Sequence, residues 1–142
     1  MPTRSGSARY EGLGKDGKGW ISTQSGVLKE QHYGFGTRFE SEPGTNPEEL
    51  IAAAHASCFT MALSFALAGA GYSDGTLETS AKVTVEKDGD GFTITKSALD
   101  LRAKVPGIAA DEFEKIAGEA KKNCPVSKVL NAEITLTHAL DS

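Results

Sequence analysis

The chain has 142 residues, of which 39% are hydrophobic and 24% charged, a composition typical of one globular domain spanning residues 1–142. Its formal net charge of −4 and its scattered Lys and Arg side chains argue against a nucleic-acid partner, because phosphate binding needs a basic face. Residues 1–6 are polar and lack the apolar core of a secretory signal, which predicts a cytoplasmic, reducing compartment. In such a compartment a pair of cysteines is more often catalytic or metal-binding than a structural disulfide.

The N-terminal part of the chain is rich in glycine and contains three short β-prone segments, Ala8–Gly12, Gly19–Thr23 and Gly26–Gln31. Glycine-containing turns at 14–17 and 24–26 separate these segments and predict a small antiparallel meander. The next stretch, Tyr33–Glu42, is expected to be irregular and exposed. Polar residues in exposed loops often carry function, so Arg38 is a candidate site residue.

A long helix is predicted to follow, with Asn46 as its N-cap, Pro47 at its first position and glycines at 69 and 71 as its stop. Leu50–Ala70 contains no charged residue and is long enough to span a membrane. Its many Ala, Gly, Ser and Thr residues and its lack of basic flanks favour instead the buried centre of a large core or of a dimer.

The remaining elements predict an α+β fold, with antiparallel sheets around the long apolar helix. Two alternating strands at 77–85 and 92–105 are joined by a turn at 88–91, and a change of phase near Ser97-Ala98 suggests a β-bulge. A helix at 111–123 has capping-box spacing between Asp111 and Glu114. A short helix from Pro125 to about Leu130 and a last strand at 132–140 complete the chain.

Cys58 lies in the middle of the apolar helix, where it is either a small buried hydrophobe or a reactive thiol. A reactive thiolate needs a nearby cation, and Arg38 is the best candidate. Helix geometry places Glu48 about 80° from the Cys58 face and Glu49 roughly opposite it. Glu48 is therefore the better candidate to orient Arg38, whereas Glu49 fits the capping role.

Two further residues have both a structural and a functional interpretation. Cys124 precedes Pro125 at an expected helix N-cap, where it is either part of a small apolar cluster or a stabilised thiolate. The two cysteines form no CxxC pair, which disfavours a thioredoxin-like motif and a four-ligand zinc site. His55, one turn before Cys58, is a base, a ligand or a hydrogen-bonded core residue.

Five segments of the chain resemble the OsmC branch of the OsmC/Ohr family: 26–28, Tyr33–Glu40, Gly44–Phe59, Asn123–Leu130 and Ala132–Leu136. The resemblance extends over essentially the whole chain in order. It places two cysteines, an arginine and a glutamate where the family has them, at Cys58, Cys124, Arg38 and Glu48.

The resemblance implies a two-cysteine peroxidase that reduces organic hydroperoxides, and hydrogen peroxide less well, in defence against oxidative or osmotic stress. Cys58 would attack the peroxide, and Cys124 would resolve the sulfenic acid as a disulfide. An external dithiol, for which the resemblance suggests a lipoyl type as one candidate, would reduce the disulfide. Arg38 would lower the Cys58 pKa while Glu48 holds Arg38. The resemblance also implies an intertwined homodimer and chemistry without a metal or organic cofactor.

Apolar walls such as Phe39 and Phe59 are expected to favour alkyl hydroperoxides. Two other functions remain open from the sequence. A redox sensor or binding protein would form the Cys58–Cys124 disulfide without turnover. Cysteine-dependent acyl transfer would use Cys58 with His55, although the sequence names no third group to orient that histidine.

Overall fold

The computed structural model describes residues 1–141, and its backbone forms two compact units, Met1–Leu50 and Ile51–Ser142. The first unit contains strands β1 (Gly6–Glu11), β2 (Lys18–Thr23) and β3 (Gln31–Tyr33) in the antiparallel order β1-β2-β3. The predicted meander is therefore confirmed. The predicted strand at Gly26–Gln31 is wrong, because Gly26 and Glu30 have positive φ angles of 81° and 51°, which a strand does not accommodate.

Tyr33–Glu42 is not irregular throughout, because it contains the short helix α1 (Phe35–Phe39). The Gly34 N–H donates to the Thr37 hydroxyl oxygen at 2.9 Å, and the Thr37 hydroxyl donates back to the Gly34 carbonyl at 3.1 Å. These bonds close a single turn that is too short to show a helical period in the sequence. Arg38, at its C-terminal end, is exposed as expected.

Helix α2 (Pro47–Gly69) begins in the first unit and continues in the second. Asn46 is the cap that the sequence predicts, since its side-chain oxygen accepts the Glu49 N–H at 2.7 Å. Gly71, just beyond the helix, has a φ of 100°, which glycine adopts without strain.

The second unit contains strands β4 (Thr76–Asp88), β5 (Gly91–Lys104) and β6 (Glu133–Asp141), with β5 in the centre. The β4–β5 hairpin is antiparallel as expected, but β6 runs parallel to β5. Two helices, α3 (Ala110–Asn123) and α4 (Pro125–Val129), form the connection that brings the chain back in the same direction. The expectation of purely antiparallel sheets is therefore wrong for this pair.

The predicted β-bulge near Ser97-Ala98 is confirmed. Thr84 pairs with Lys96 and Val85 with Ile94, so the extra residue of the bulge is Thr95. Helix α3 has Ala109 as its N-cap, with no side-chain cap bond, so the predicted capping box of Asp111 is wrong.

One face of α2 enters the core of the second unit with β5 and α3. The buried core side chains of these three elements are Phe59, Leu63, Leu67, Leu99, Leu101, Ala103, Phe113, Ala117 and Ala120. Other positions of α2 are exposed, including Met61 at 63% and Phe65 at 72%. The helix is long and apolar enough to cross a membrane by length and composition, with a mean hydropathy of 1.7. Its core-packed face is typical instead of a central helix in a globular unit.

Candidate active site

The second unit brings the two cysteines together although they are far apart in sequence. Cys58 lies half-buried on α2, and Cys124 lies fully buried in the junction between α3 and α4. Cys58 packs against the apolar core that contains Cys124, each thiol influences the pKa of the other, and both are free. The fold therefore meets the first requirement for a disulfide between them, which is that the two thiols lie near each other.

Cys124 is the N-cap residue of α4, as the sequence predicts. Its sulfur accepts the Ser127 N–H at 3.4 Å and the Ser127 hydroxyl at 3.5 Å. Burial alone would raise the pKa of Cys124, but the donors from Ser127, together with Cys58 and Val126, outweigh burial and lower that pKa. The local hydrogen bonds therefore favour a thiolate at Cys124.

The pKa of Cys58 shifts in the opposite direction. Burial raises it, the backbone of Val126 acts to lower it, and the neighbouring Cys124 raises it again. Within the second unit no cation is among these influences. The two pKa shifts are opposite in direction, so the Cys124 thiol ionises more readily than the Cys58 thiol.

His55 is fully buried and bonded through both ring nitrogens to serine hydroxyls. Nδ1 lies 2.6 Å from the Ser97 hydroxyl oxygen, and Nε2 lies 2.8 Å from that of Ser127. Burial lowers the pKa of His55, so the imidazole is neutral at physiological pH. The interpretation as a hydrogen-bonded core residue is confirmed, and neither ring nitrogen is paired with Cys58.

In the first unit, Arg38 and Glu48 form a two-point ion pair. Arg38 Nε lies 2.9 Å from Glu48 Oε1, and Nη2 lies 2.7 Å from Oε2. The hydrogen bond to Glu48 raises the Arg38 pKa, so the guanidinium is permanently charged. Glu49 is occupied elsewhere, because it accepts the Thr45 hydroxyl at 2.8 Å. The geometry therefore pairs Arg38 with Glu48, while the catalytic roles of both residues remain predictions.

The two aromatic residues expected to face substrate differ in position. Phe59 is 0% exposed and lies in the core of the second unit, so its expected role as a substrate wall is wrong. Phe39 is half-buried, with its ring centroid 5.2 Å from that of Phe35. The Arg38 guanidinium carbon lies 5.3 Å from the centroid of the Phe39 ring. Phe39 therefore remains beside a predicted site residue.

Residues 1–141 contain no cluster of three or more His, Cys, Asp or Glu side chains that could hold a metal ion. The residues that sequence reasoning missed are Ser97 and Ser127. The contact of Ser127 with Cys124 could have been predicted from the sequence, because Ser127 is the third residue after a predicted N-cap and can donate to the capping side chain. Ser97 comes from a different strand, and no local pattern links it to His55.

The protein-family model described as OsmC-like protein matches residues 39–139, a range that begins one residue after Arg38. The Escherichia coli (strain K12) protein named Peroxiredoxin OsmC is 55% identical over 139 residues, which cover 98% of this chain and 97% of the relative. Organic hydroperoxide resistance protein OhrA of Bacillus subtilis (strain 168) is 35% identical over 98 residues, covering 68% and 67% of the two chains.

Solved structures show the same backbone arrangement. An organic hydroperoxide resistance protein from Elizabethkingia anophelis superposes with a TM-score of 0.74 at 27% identity, covering 99% of this chain and 98% of the other. OhrB of Bacillus subtilis superposes with a TM-score of 0.68 at 25% identity, covering 98% of each chain. The predicted α+β fold is therefore confirmed.

Proposed function

Because the chain belongs to the OsmC-like protein family, we propose that it is a thiol-dependent peroxidase that reduces organic hydroperoxides to alcohols. The observation that carries the proposal is the proximity of two free thiols, Cys58 and Cys124, in one core cluster, where each influences the pKa of the other. Relatives named for peroxiredoxin activity and for organic hydroperoxide resistance support it. Its biological role is defence against oxidative or osmotic stress.

The reaction has two halves. The Cys58 thiolate attacks the terminal oxygen of the hydroperoxide, the O–O bond breaks, and the products are an alcohol and a Cys58 sulfenic acid. Cys124 then attacks the sulfenic sulfur, forms the disulfide and releases hydroxide, which protonates to water. The half-burial of Cys58 and the full burial of Cys124 support these roles, because only the first needs to meet substrate.

Arg38 supplies the cation that Cys58 needs, and Glu48 holds the Arg38 guanidinium. The family resemblance assigns this role, and the two-point ion pair supports it by fixing the plane of the guanidinium. Burial raises the pKa of Cys58, so attack at neutral pH requires a counteracting positive charge. Arg38 acts as that charge and polarises the peroxide in the transition state.

The functional state is a homodimer in which the exposed side of α2 packs against the same side in a second copy. Ala53, Ser57, Met61, Ser64 and Phe65 form this surface, the α2 outer face. Small residues surround two large apolar side chains, which suits close helix packing. In such a dimer the same surface of each copy faces the other across a two-fold axis, which is the commonest symmetry of homodimers.

The physiological reductant is an external dithiol, of the lipoyl type in keeping with the family resemblance. Regeneration proceeds by thiol–disulfide exchange, which requires a reducing compartment. We therefore place the enzyme in the cytoplasm, as a single domain over residues 1–142.

The two competing functions differ in what they require. Acyl transfer needs a Cys–His pair, but both ring nitrogens of His55 are engaged by Ser97 and Ser127. The redox-sensor alternative uses the same thiol pair and differs only in lacking turnover. An experiment therefore has to distinguish the redox sensor from the peroxidase.

The deciding experiment measures cumene hydroperoxide consumption under excess dithiol for the wild type, Cys58→Ser and Cys124→Ser. The peroxidase consumes many equivalents of peroxide, Cys58→Ser consumes none, and Cys124→Ser loses activity progressively as its unresolved sulfenic acid overoxidises. Consumption of a single equivalent by the wild type with every dithiol tested would establish the sensor and reject the peroxidase.

A further inference from the structure

The buried polar array behind Cys124 is not used by the reaction described above. It consists of Ser97 on β5, His55 on α2 and Ser127 on α4, and it ends at the Cys124 sulfur. Three separate elements contribute to it, and every member is at least nine-tenths buried. Burying four polar groups costs free energy unless each of them is hydrogen-bonded. In this array every buried side-chain nitrogen and oxygen has a hydrogen-bond partner.

Counting donors fixes the direction of the array when Cys124 is a thiolate. A thiolate sulfur only accepts, so the Ser127 hydroxyl, which has one proton, donates that proton to Cys124. The Ser127 oxygen then accepts from His55, which places the imidazole proton on Nε2. His55 Nδ1 is left as an acceptor, and the Ser97 hydroxyl donates to it. All three donors point toward the sulfur.

We propose that His55 is a positioning residue for Cys124, which it holds as a thiolate by fixing the Ser127 hydroxyl as a donor to the Cys124 sulfur. Within the proposed peroxidase reaction, on which this role rests, the same thiolate serves twice. It attacks the Cys58 sulfenic sulfur, so that the S–S bond forms while the S–O bond breaks and hydroxide leaves.

The second use of the Cys124 thiolate is as a leaving group when the disulfide is reduced. A thiolate of the external dithiol attacks Cys58, the S–S bond breaks, and its electron pair leaves on Cys124. The second thiol of the dithiol then attacks its own mixed disulfide and releases Cys58. Two observations direct the attack to Cys58: Cys124 is 0% exposed, and its sulfur has two donors waiting for the charge. The sulfur with the more stable thiolate leaves faster.

The ionisable groups that face Cys124 are few. Cys58 faces it from α2, and His55 reaches it through Ser127. The other groups that act on its pKa are the Ser127 hydroxyl and the backbone groups of Ser127 and Val126. The lowered pKa of Cys124 agrees with the donor arrangement, and none of these contributors is a charged side chain. A change in the Cys124 pKa therefore reports on the array itself.

The first test titrates the Cys124 thiol by its ultraviolet thiolate absorbance in a Cys58→Ser background, where it is the sole cysteine. Ser127→Ala and His55→Leu are each expected to raise its pKa by about one unit, equivalent to a tenfold lower thiolate fraction. His55→Gln keeps an N–H donor near the Nε2 position and is expected to restore the pKa to within a few tenths of a unit. Thr60→Val is the matched control, because it removes a hydroxyl bond of α2 to Thr79 that is not part of the array.

The second test follows disulfide formation after one equivalent of peroxide, with both cysteines present. Ser127→Ala is expected to slow disulfide formation about tenfold at neutral pH and to approach the wild-type rate at alkaline pH, whereas a packing defect slows it equally at every pH. If His55→Leu does not fold, Ser127→Ala still tests the donor to the Cys124 sulfur. A Cys124 pKa in His55→Gln that departs from the wild-type value by as much as Ser127→Ala does would contradict a donor role for Nε2.

An unchanged Cys124 pKa in Ser127→Ala would overturn the proposal, as would equal slowing at all pH values. Because the thiol titration uses no peroxide, it remains decisive even if the wild type proves to lack peroxidase turnover.

Discussion

Arg38 and Glu48 are held by two parallel hydrogen bonds of 2.9 and 2.7 Å, and the Glu48 side chain is 9% exposed while that of Arg38 is 36% exposed. The carboxylate is thus the buried anchor and the guanidinium the accessible partner. Such planar, two-point pairing orients an arginine in a way that a lysine in its place does not reproduce.

The first prediction concerns this pair. Arg38→Ala is expected to reduce the rate constant for Cys58 oxidation at neutral pH at least about tenfold, because the thiol loses its stabilising cation. The loss should diminish as pH rises and the thiol ionises unaided. Stopped-flow measurement of peroxide consumption across pH provides the check.

The adjacent residue Glu49 provides a matched control for a substitution of Glu48. Glu48→Gln removes the charge that holds Arg38 and should also slow the reaction, whereas Glu49→Gln alters a side chain that bonds to Thr45 and should leave the rate within about twofold. Equal effects of the two substitutions would contradict the assignment of Glu48.

The α2 outer face yields a prediction about assembly. Phe65 is 72% exposed in the single chain, and Phe65→Glu should shift the protein from dimer to monomer because it buries a charge in the interface. Val27→Glu, at a position of the first unit that is 83% exposed, should leave the dimer intact. Sedimentation velocity distinguishes the two states, and an unshifted Phe65→Glu dimer would place the interface elsewhere.

The core of the second unit is predicted to depend on the buried face of the same helix. Leu63 is 0% exposed, and Leu63→Ala should lower the free energy of unfolding by about 2–5 kcal/mol. Leu13 is 92% exposed, so Leu13→Ala should change it by less than about 0.5 kcal/mol. Urea denaturation followed by circular dichroism measures both, and a small loss for Leu63→Ala would mean that the core repacks around the gap.

Acid stability is predicted to depend on His55. Burial places its folded pKa below the ordinary 6.5, so between these two values the unfolded chain binds a proton that the folded chain does not. Unfolding free energy should therefore fall as the pH drops from about 6.5 through the lowered pKa, with a slope of up to about 1.4 kcal/mol per pH unit from this group.

His55→Gln removes that titrating group and should flatten the acid side of the stability curve. Chemical denaturation at a series of pH values, for both proteins, gives the difference. Parallel curves for the wild type and His55→Gln would show that the imidazole has the same pKa folded and unfolded.

The sequence predicts the helices and the hairpin well because their signals are local. Asn46-Pro47 and the glycines after residue 68 bound α2, and alternation along 77–85 and 92–105 identifies β4 and β5. The alternation also predicts the bulge near Ser97-Ala98, just beyond the extra residue Thr95, because the change of phase becomes visible only after that residue. The direction of β6 depends on the crossover through α3 and α4, which no strand pattern contains.

For the candidate site, too, the sequence predicts the relationships between neighbouring residues but not those between distant segments. Helix phase separates Glu48 from Glu49, and the observed ion pair involves Glu48. The array of Ser97, His55 and Ser127 joins three distant segments, and only tertiary structure brings them together. The prediction for Phe59 is wrong because neighbouring residues on a helix lie about 100° apart, so the residue next to a reactive cysteine can face the core instead of the substrate.

The position of Cys124 in the junction between α3 and α4 gives the disulfide a mechanical consequence. A bond to Cys58 would tie that junction to the central helix and close a loop of about 67 residues, which the chain-entropy relation values at about 4 kcal/mol. By reciprocity the folded state would stabilise the disulfide by the same amount relative to the unfolded chain. The oxidised enzyme would then be harder to unfold than the reduced one, so a molecule waiting for its reductant is protected against denaturation during the stress that oxidised it.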